Sequence, residues 1–230
     1  MKRVLVTGSE GFIGRPICQK LISLGYEVMS FDRKLGQDAT REEDVIKVAS
    51  YAEAVIHLGG PCSMLMFQEN PHRSWVETIR GMKNILRYCS GRIVFPSTCT
   101  LYGESLLPVR EDKELPPPPN LYAAAKMECE RLCFQAAIRG ADVRILRIFT
   151  GYGPGELQKG PYASPLMHFA RNMLSGQRPV VYGDGTQIRD FVHIDDIVEF
   201  LVRGLETRSR ERLFNVGSGK GTSFLKVLRM

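Results

Sequence analysis

Tyr122 and Lys126 stand four residues apart in the segment YAAAK, across three alanines with strong helix propensity. Positions i and i+4 share one helix face, so a phenol and an ammonium point into the same space. A phenol with a pKa of about 10 is a poor base at neutral pH. A neighbouring positive charge favours the phenolate and lowers that value. The pair is then a proton acceptor, although the same spacing also describes an ordinary surface pair. Upstream, residues 95–103, FPSTCTLYG, pass from an apolar run into hydroxyl-rich sequence. There Thr98 could donate a hydrogen bond to a reacting oxygen and steady developing negative charge. Spacing alone describes a threonine capping a turn equally well.

A second chemical feature lies at the start of the chain. Residues 4–14, VLVTGSEGFIG, run from apolar sequence into glycines three apart and then into an amphipathic helical pattern. The junction predicts a strand, a tight turn and a helix N-terminus, whose unpaired N–H groups and dipole suit a pyrophosphate. Gly8 can take the turn's backbone angles, Gly11 admits phosphates close to the main chain, and Gly14 lets helix and strand pack. The spacing G-x-x-G-x-x-G departs from the generic G-x-G-x-x-G fingerprint. A further strand at residues 26–31 ends in Asp32, 18 residues past Gly14. An acid there accepts the ribose hydroxyls of an adenosine and repels a 2′-phosphate, which selects NAD over NADP. Arg33 beside it would accommodate that phosphate only with the aspartate turned away. An oxidised nicotinamide near Tyr122 would add a second positive charge in favour of the phenolate.

The elements that must position these groups follow from the alternation of short apolar runs with helical patterns. Strands are expected at 3–7, 27–31, 54–58, 92–96, 143–148 and 213–216, and helices at 11–24, 42–50, 71–89, 120–139, 165–175 and 194–206. Continuous apolar strands joined by helices predict a parallel sheet covered on both faces. Residues 36–40 leave room for only a vestigial third strand, which would make 54–58 the fourth. The prolines at 116–119 stiffen the loop entering the next helix. The fold class is therefore α/β, a Rossmann-type doubly wound parallel sheet.

Composition narrows the function classes. At 230 residues, 43% hydrophobic and 24% charged, the chain has the make-up of a soluble globular protein. A net charge of +6 favours an anionic ligand, but the basic residues are spread along the chain, so no nucleic-acid site is expected. No apolar stretch approaches the roughly 18–20 residues of a membrane span. The N-terminus enters a strand at once, which predicts no signal peptide. The six cysteines show no paired zinc spacing, so no metal site is expected and a reduced, cytoplasmic setting is the simplest reading.

Together these motifs resemble those of the extended short-chain dehydrogenase/reductase family, the NAD-dependent sugar-nucleotide epimerases and dehydratases. The matching stretches are VTGSEGFIG, FD at Asp32, VIHLGG at 55–60, PSTCTLYG at 96–103, YAAAK at 122–126, RIFTGYGPG at 147–155 and GDGTQIRDFVHIDDIV at 183–198, in family order. The resemblance implies that Gly8, Gly11, Phe12, Ile13 and Gly14 hold the pyrophosphate of NAD, with Asp32 on the adenosine ribose. It places Asp38 by the adenine and Leu58 and Gly59 along the cofactor. Thr98, Tyr122 and Lys126 match the catalytic triad, with Tyr122 and Lys126 also touching the cofactor. Thr98, Thr150 and Arg189 match substrate contacts, Arg189 being the arginine that meets the diphosphate of a nucleotide sugar. His193 to Asp196 read as structural.

Departures from the family pattern refine the expectation. Thr78 replaces a usual asparagine, as does Thr150. Cys99 and Thr100 stand where dehydratases carry an acidic pair and decarboxylases a glutamate, which disfavours both reactions. The expected activity is an NAD-dependent epimerase acting on a nucleotide-diphosphate sugar through a transient keto intermediate. The alternatives are a net dehydrogenase or reductase of a sugar or small carbonyl compound, and a catalytically degenerate NAD-binding protein. The expected domains are 1–150 for NAD and 151–230 for a small, C-terminally shortened substrate-binding region, with a segment near 183–205 returning to the core. SFLKVLRM reads as the opening turns of a helix. The resemblance also implies a homodimer through a four-helix bundle of segments 71–89 and 120–139. Trp75, Ile79, Met82, Leu132 and Phe134 make these helices apolar on more than one face.

Overall fold

In the computed structural model, which describes residues 2–103 and 108–230, the apolar run β1 (Arg3–Thr7) becomes a central strand with neighbours on both sides. It pairs in parallel with β2 (Glu27–Phe31) and with β3 (Ala54–His57). The sheet continues through β4 (Arg92–Thr98) and β5 (Val143–Ile148), again in parallel. Its order is completed at the far edge by β8 (Leu213–Val216), beyond the short strand β6 (Thr150–Tyr152) and β7 (Ile188–His193) in sequence. The resulting order is β2-β1-β3-β4-β5-β8.

Successive strand residues face opposite sides, and each side has its own core. Val4, Val6, Ile56, Val94 and Leu146 pack on α1 (Gly14–Ser23) through Ile17 and Leu21, and on α7 (Ile194–Glu206) through Ile197 and Leu201. Leu5, Val55, Ile93, Phe95 and Ile145 pack on the other face, against Val45, Met82, Ile85, Cys129 and Cys133. Those residues belong to α2 (Glu42–Ala49), α4 (Pro71–Tyr88) and α5 (Leu121–Ile138). A parallel sheet with helices on both faces is the doubly wound arrangement expected from its apolar strands.

Several boundaries differ from those expected. No strand forms at residues 36–40: a 3₁₀ turn at Arg33–Leu35 ends at Gly36, whose φ is 79°, and the chain leads into α2. The sheet therefore ends at β2, and the strand before Leu58 is the third rather than the fourth. Helix α1 begins only at Gly14, because residues 8–13 form the turn. An additional short helix, α3 (Met64–Glu69), is capped by Ser63, whose hydroxyl accepts from Met66 N at 3.2 Å. Pro71 stops its continuation and opens α4, where the missing N–H is not needed.

Beyond β5 the chain builds a second, three-stranded sheet, β6-β7-β9, with β9 at Gly221–Ser223. Helix α6 (Pro165–Leu174) and the terminal helix α8 (Phe224–Arg229) accompany it. The opening turns read in SFLKVLRM thus form, capped by the Ser223 hydroxyl. Strands of three residues paired across distant sequence carry no local signal, so the sequence did not reveal them. No helix among the described residues is long and apolar enough to cross a membrane.

Candidate active site

The carboxyl ends of β1, β2, β3 and β4 open on a cleft of about 540 Å³. Ligands of open α/β sheets bind at this edge. Gly8, with φ of 72°, turns the chain out of β1 and donates to Phe31 O at 2.8 Å. A Cβ on Gly8 would lie 2.8 Å from the Leu58 carbonyl carbon, and one on Gly14 would collide with the Gly8 carbonyl. These two positions therefore require glycine for close packing of turn, helix and β3. No side chain caps helix α1. Within the helix Arg15 N donates to Gly11 O at 3.1 Å, Ile17 N donates to Ile13 O at 3.2 Å and Pro16 has no N–H, so donors for an anion come from the turn that leads into α1.

At the end of β2, both carboxylate oxygens of Asp32 are fixed. Oδ2 accepts from Glu10 N at 3.1 Å and Oδ1 from Lys34 N at 2.9 Å. Arg33 is bound more firmly: Nε and Nη2 donate to Asp38 at 2.9 and 3.3 Å, and Nη1 donates to Glu77 at 2.8 Å. Burial would raise the Asp38 carboxyl, yet hydrogen bonds from Thr40 and Arg33 hold it below its ordinary value. Burial likewise opposes ionisation of Glu77, and Arg33 with Arg73 outweighs it. The guanidinium is thus committed to two acids and is not poised for a phosphate.

The floor of the cleft carries Thr98, Tyr122 and Lys126 together. Thr98 ends β4, and its hydroxyl accepts from Thr100 N at 3.2 Å and lies 2.9 Å from Thr100 Oγ1. Both readings of Thr98 therefore hold at once, a turn cap that also lines the cleft. Asn120 caps α5 by accepting from Ala123 N at 2.9 Å, which sets Tyr122 and Lys126 in its first two turns. Phe67 meets the Tyr122 ring edge-on at 5.7 Å. Lys126 Nζ donates to Pro96 O at 3.0 Å and lies 4.7 Å from the Phe95 ring centre. Burial pushes the Tyr122 phenol above its ordinary value, against the pull of the Thr98 hydroxyl. Burial also lowers the Lys126 ammonium. In the protein alone, then, desolvation outweighs any lowering of the phenol by its helical neighbour.

Of the residues expected at the site, Gly8, Gly11, Phe12, Ile13, Gly14, Asp32, Asp38, Leu58 and Gly59 all line this cleft. Thr150 and Arg189 do not. Thr150 opens β6 and pairs with Phe191. Arg189 lies exposed on β7, its guanidinium donating to Ile188 O at 2.8 Å and standing 5.8 Å from the Phe224 ring centre. Its charge still reaches Cys99, whose thiol burial pushes up to about 11 against the pull of Arg189. Thr78 is buried in α4, where its hydroxyl donates to Ser74 O at 2.8 Å. His193 is the N-cap of α7 and accepts from Asp195 N at 3.3 Å.

Two supporting groups were not singled out in the sequence. The Thr7 hydroxyl accepts from Gly59 N at 3.0 Å and shares a hydrogen bond with His57 Nδ1, 2.7 Å away. Burial, aided by the Lys126 charge, lowers the His57 pKa to about 3, so the imidazole stays neutral and fixes the start of the 58–60 loop. The second group is Glu130, one turn after Lys126. It accepts from Arg147 at 3.0 and 2.7 Å and from the Ser97 hydroxyl, which precedes Thr98. Arg147 continues to the Tyr102 hydroxyl at 3.0 Å, and that hydroxyl to Asn215 at 2.7 Å. The extension of the Tyr122 and Lys126 spacing by another four residues to an acid is the sequence signal that would have found Glu130.

The model of the NAD dependent epimerase/dehydratase family matches residues 4–217. Among known proteins, the chain is 28% identical over 256 residues to the UDP-N-acetyl-alpha-D-glucosaminuronate decarboxylase of Bacillus cytotoxicus, covering 98% of this chain and 78% of that protein. The structure of UDP-glucose 4-epimerase with UDP-glucose from Thermotoga maritima superposes with a TM-score of 0.92 at 28% identity. That match covers 99% of this chain and 80% of the other. A UDP-glucose 4-epimerase of Thermus thermophilus in complex with NAD gives 0.85 at 30% identity, covering 99% and 81%.

Proposed function

The chain belongs to the NAD dependent epimerase/dehydratase family, and from that premise we propose that it is an NAD-dependent epimerase of a nucleotide-activated sugar, working through a transient keto intermediate. One observation carries this reading: Thr98, Tyr122 and Lys126 share a single cleft with the glycine turn and Asp32. The residues fit the dinucleotide. Residues 8–14 with the uncapped α1 would hold its pyrophosphate, Asp32 the adenosine ribose, and Leu58 and Gly59 its length. When bound, NAD supplies a hydride acceptor that can return the hydride.

Tyr122 Oη takes the proton of a sugar hydroxyl as the carbon beneath it is oxidised, and gives the proton back once the keto sugar has turned over. Thr98 Oγ1 donates to the same oxygen as its charge develops. Lys126 supplies positive charge beneath the phenol and a donor for the cofactor ribose. Burial holds the phenol high on its own, so a positive ring beside it is the further charge that brings the phenolate within reach of neutral pH. Cys99 and Thr100 provide no carboxyl group to protonate a leaving hydroxyl, which favours epimerisation over dehydration. Incubating the protein with NAD and a panel of uridine and thymidine diphosphate sugars tests the proposal. Formation of an epimer without net reduction of NAD is expected. Reduced cofactor accumulating in step with product would replace it with a net dehydrogenase.

NAD should bind more tightly than NADP, because Asp32 competes with a 2′-phosphate and Arg33 is held by Asp38 and Glu77. Titration of both cofactors checks this, and tighter NADP binding by the unmodified protein would overturn it. Asp32→Ala should narrow the preference.

We further place a cofactor region at 1–150 and a substrate region at 151–230, with α7 and β8 joined to the cofactor sheet. Six free thiols suit a reducing cytoplasm. A homodimer through α4 and α5 completes the reading. Met82 is fully buried within the subunit and so takes no part. Trp75 and Ile79 line a shallow hollow on α4, and Val76, Phe134 and Ile138 are exposed. Sedimentation should give a dimer at micromolar concentration, and Phe134→Glu should shift it toward monomer. A monomeric unmodified protein would exclude this interface.

A further inference from the structure

Four cations line the cleft among the described residues, Arg33, Lys34, Lys126 and Lys159. Arg33 is bound by Asp38 and Glu77, Lys34 donates to Glu10 O at 3.3 Å, and Lys126 donates to Pro96 O at 3.0 Å. The fourth is Lys159, in the 3₁₀ segment Glu156–Tyr162. Among the described residues its acidic partner is Glu156, at 3.7 Å. That carboxylate is fully buried and already occupied, Oε1 by Ser164 N at 2.6 Å and Oε2 by the Ser164 hydroxyl at 3.1 Å. Lys159 Nζ also overhangs the Phe12 ring, 5.4 Å from its centre. Phe12 belongs to the glycine turn, immediately before the uncapped start of α1. An ammonium on the cleft wall thus stands beside the glycine turn, whose residues line the same cleft.

We propose that Lys159 is a diphosphate-binding residue, reaching from the C-terminal half of the chain to clamp an anionic ligand against the glycine turn. The proposal rests on the functional reading above, which supplies two diphosphates, one in the dinucleotide and one in the nucleotide sugar. Both present the same chemistry, a pair of bridged phosphates that an ammonium meets as a point charge. Position 159 carried no signal in the sequence, because only the fold brings it beside residue 12.

Calorimetric titration of the unmodified protein, Lys159→Met and Lys159→Arg with ADP-ribose, UDP and adenosine tests this. A charge-assisted contact predicts that Lys159→Met weakens a diphosphate ligand roughly 10-fold, with the loss shrinking as salt rises. Adenosine should be unaffected, and Lys159→Arg should retain most of the affinity. Loss confined to ADP-ribose identifies the cofactor's diphosphate as the partner, loss confined to UDP identifies the sugar nucleotide's, and loss of both supports a shared contact. Unchanged affinity for both, or equal weakening of adenosine, would overturn the role of Lys159 while leaving the functional reading intact. An unmodified protein that binds neither diphosphate would overturn both.

Discussion

Tyr122→Phe should bind NAD as well as the unmodified protein and turn over about 10²–10⁴-fold more slowly, the usual contribution of general acid–base catalysis. The substitution keeps the ring, and with it the edge-on contact to Phe67 that holds the side chain in the cleft. Only the oxygen that accepts the proton is removed. Lys126→Ala should differ in kind, weakening cofactor binding and turnover together, because its ammonium serves both the phenol and the ribose. The two variants thus separate proton transfer from binding. The pH profile follows from the same chemistry. Burial raises the phenol, and the phenolate is the active form, so turnover should rise with pH until that group has lost its proton. Cofactor titration and steady-state rates on both variants check the scheme. Full activity in Tyr122→Phe would sink it.

The sequence disclosed most clearly those features whose physics is local. Glycines three apart after an apolar run imply a tight turn, and Gly8 and Gly14 lie where a Cβ would strike neighbouring backbone. Tyr122 and Lys126 share a face because Asn120 starts the helix just before them, a relation fixed by spacing alone. Asp32 follows from the end of a strand. What escaped was long-range. The position of Arg189 is set by the pairing of β7 with β9, which lays its guanidinium near Phe224 and within charge range of Cys99, next to Thr98. Met82 looked like an interface residue because its helix is apolar on several sides, but the α2–α4–α5 layer closes over it. The strand expected at residues 36–40 gave way to the turn at Gly36 and the Arg33–Asp38 pair, neither visible as a hydrophobic pattern. Glu130 and Arg147 read as an ordinary helical acid and a charge interrupting a strand. Only the fold shows that they are partners.

That partnership carries the largest stability effect expected in the molecule. Glu130 and Arg147 pair with side chains only 4% exposed, and the Ser97 and Tyr102 hydroxyls complete their hydrogen bonding. Glu130→Leu would leave a guanidinium buried without its counter-ion. Breaking one side of such a pair costs about 3–5 kcal/mol. In a chain of this length that lowers the melting temperature by roughly 6–20 °C. Replacing both partners removes the stranded charge, so Glu130→Leu with Arg147→Met should recover much of the loss. Activity should not recover with it. Glu130 follows Tyr122 and Lys126 on the same face of α5 and bonds the residue before Thr98, so it ties the helix carrying the base to the strand carrying the hydroxyl donor. An apolar pair fills the same space without fixing that register, and misplacement of reacting groups by about 1 Å can cost on the order of 10²-fold in rate. Thermal unfolding of the single and double variants, paired with their turnover rates, separates the two roles. Equal destabilisation of both would show that packing rather than charge is at stake, and full activity in a refolded double variant would remove Glu130 from the positioning of the site.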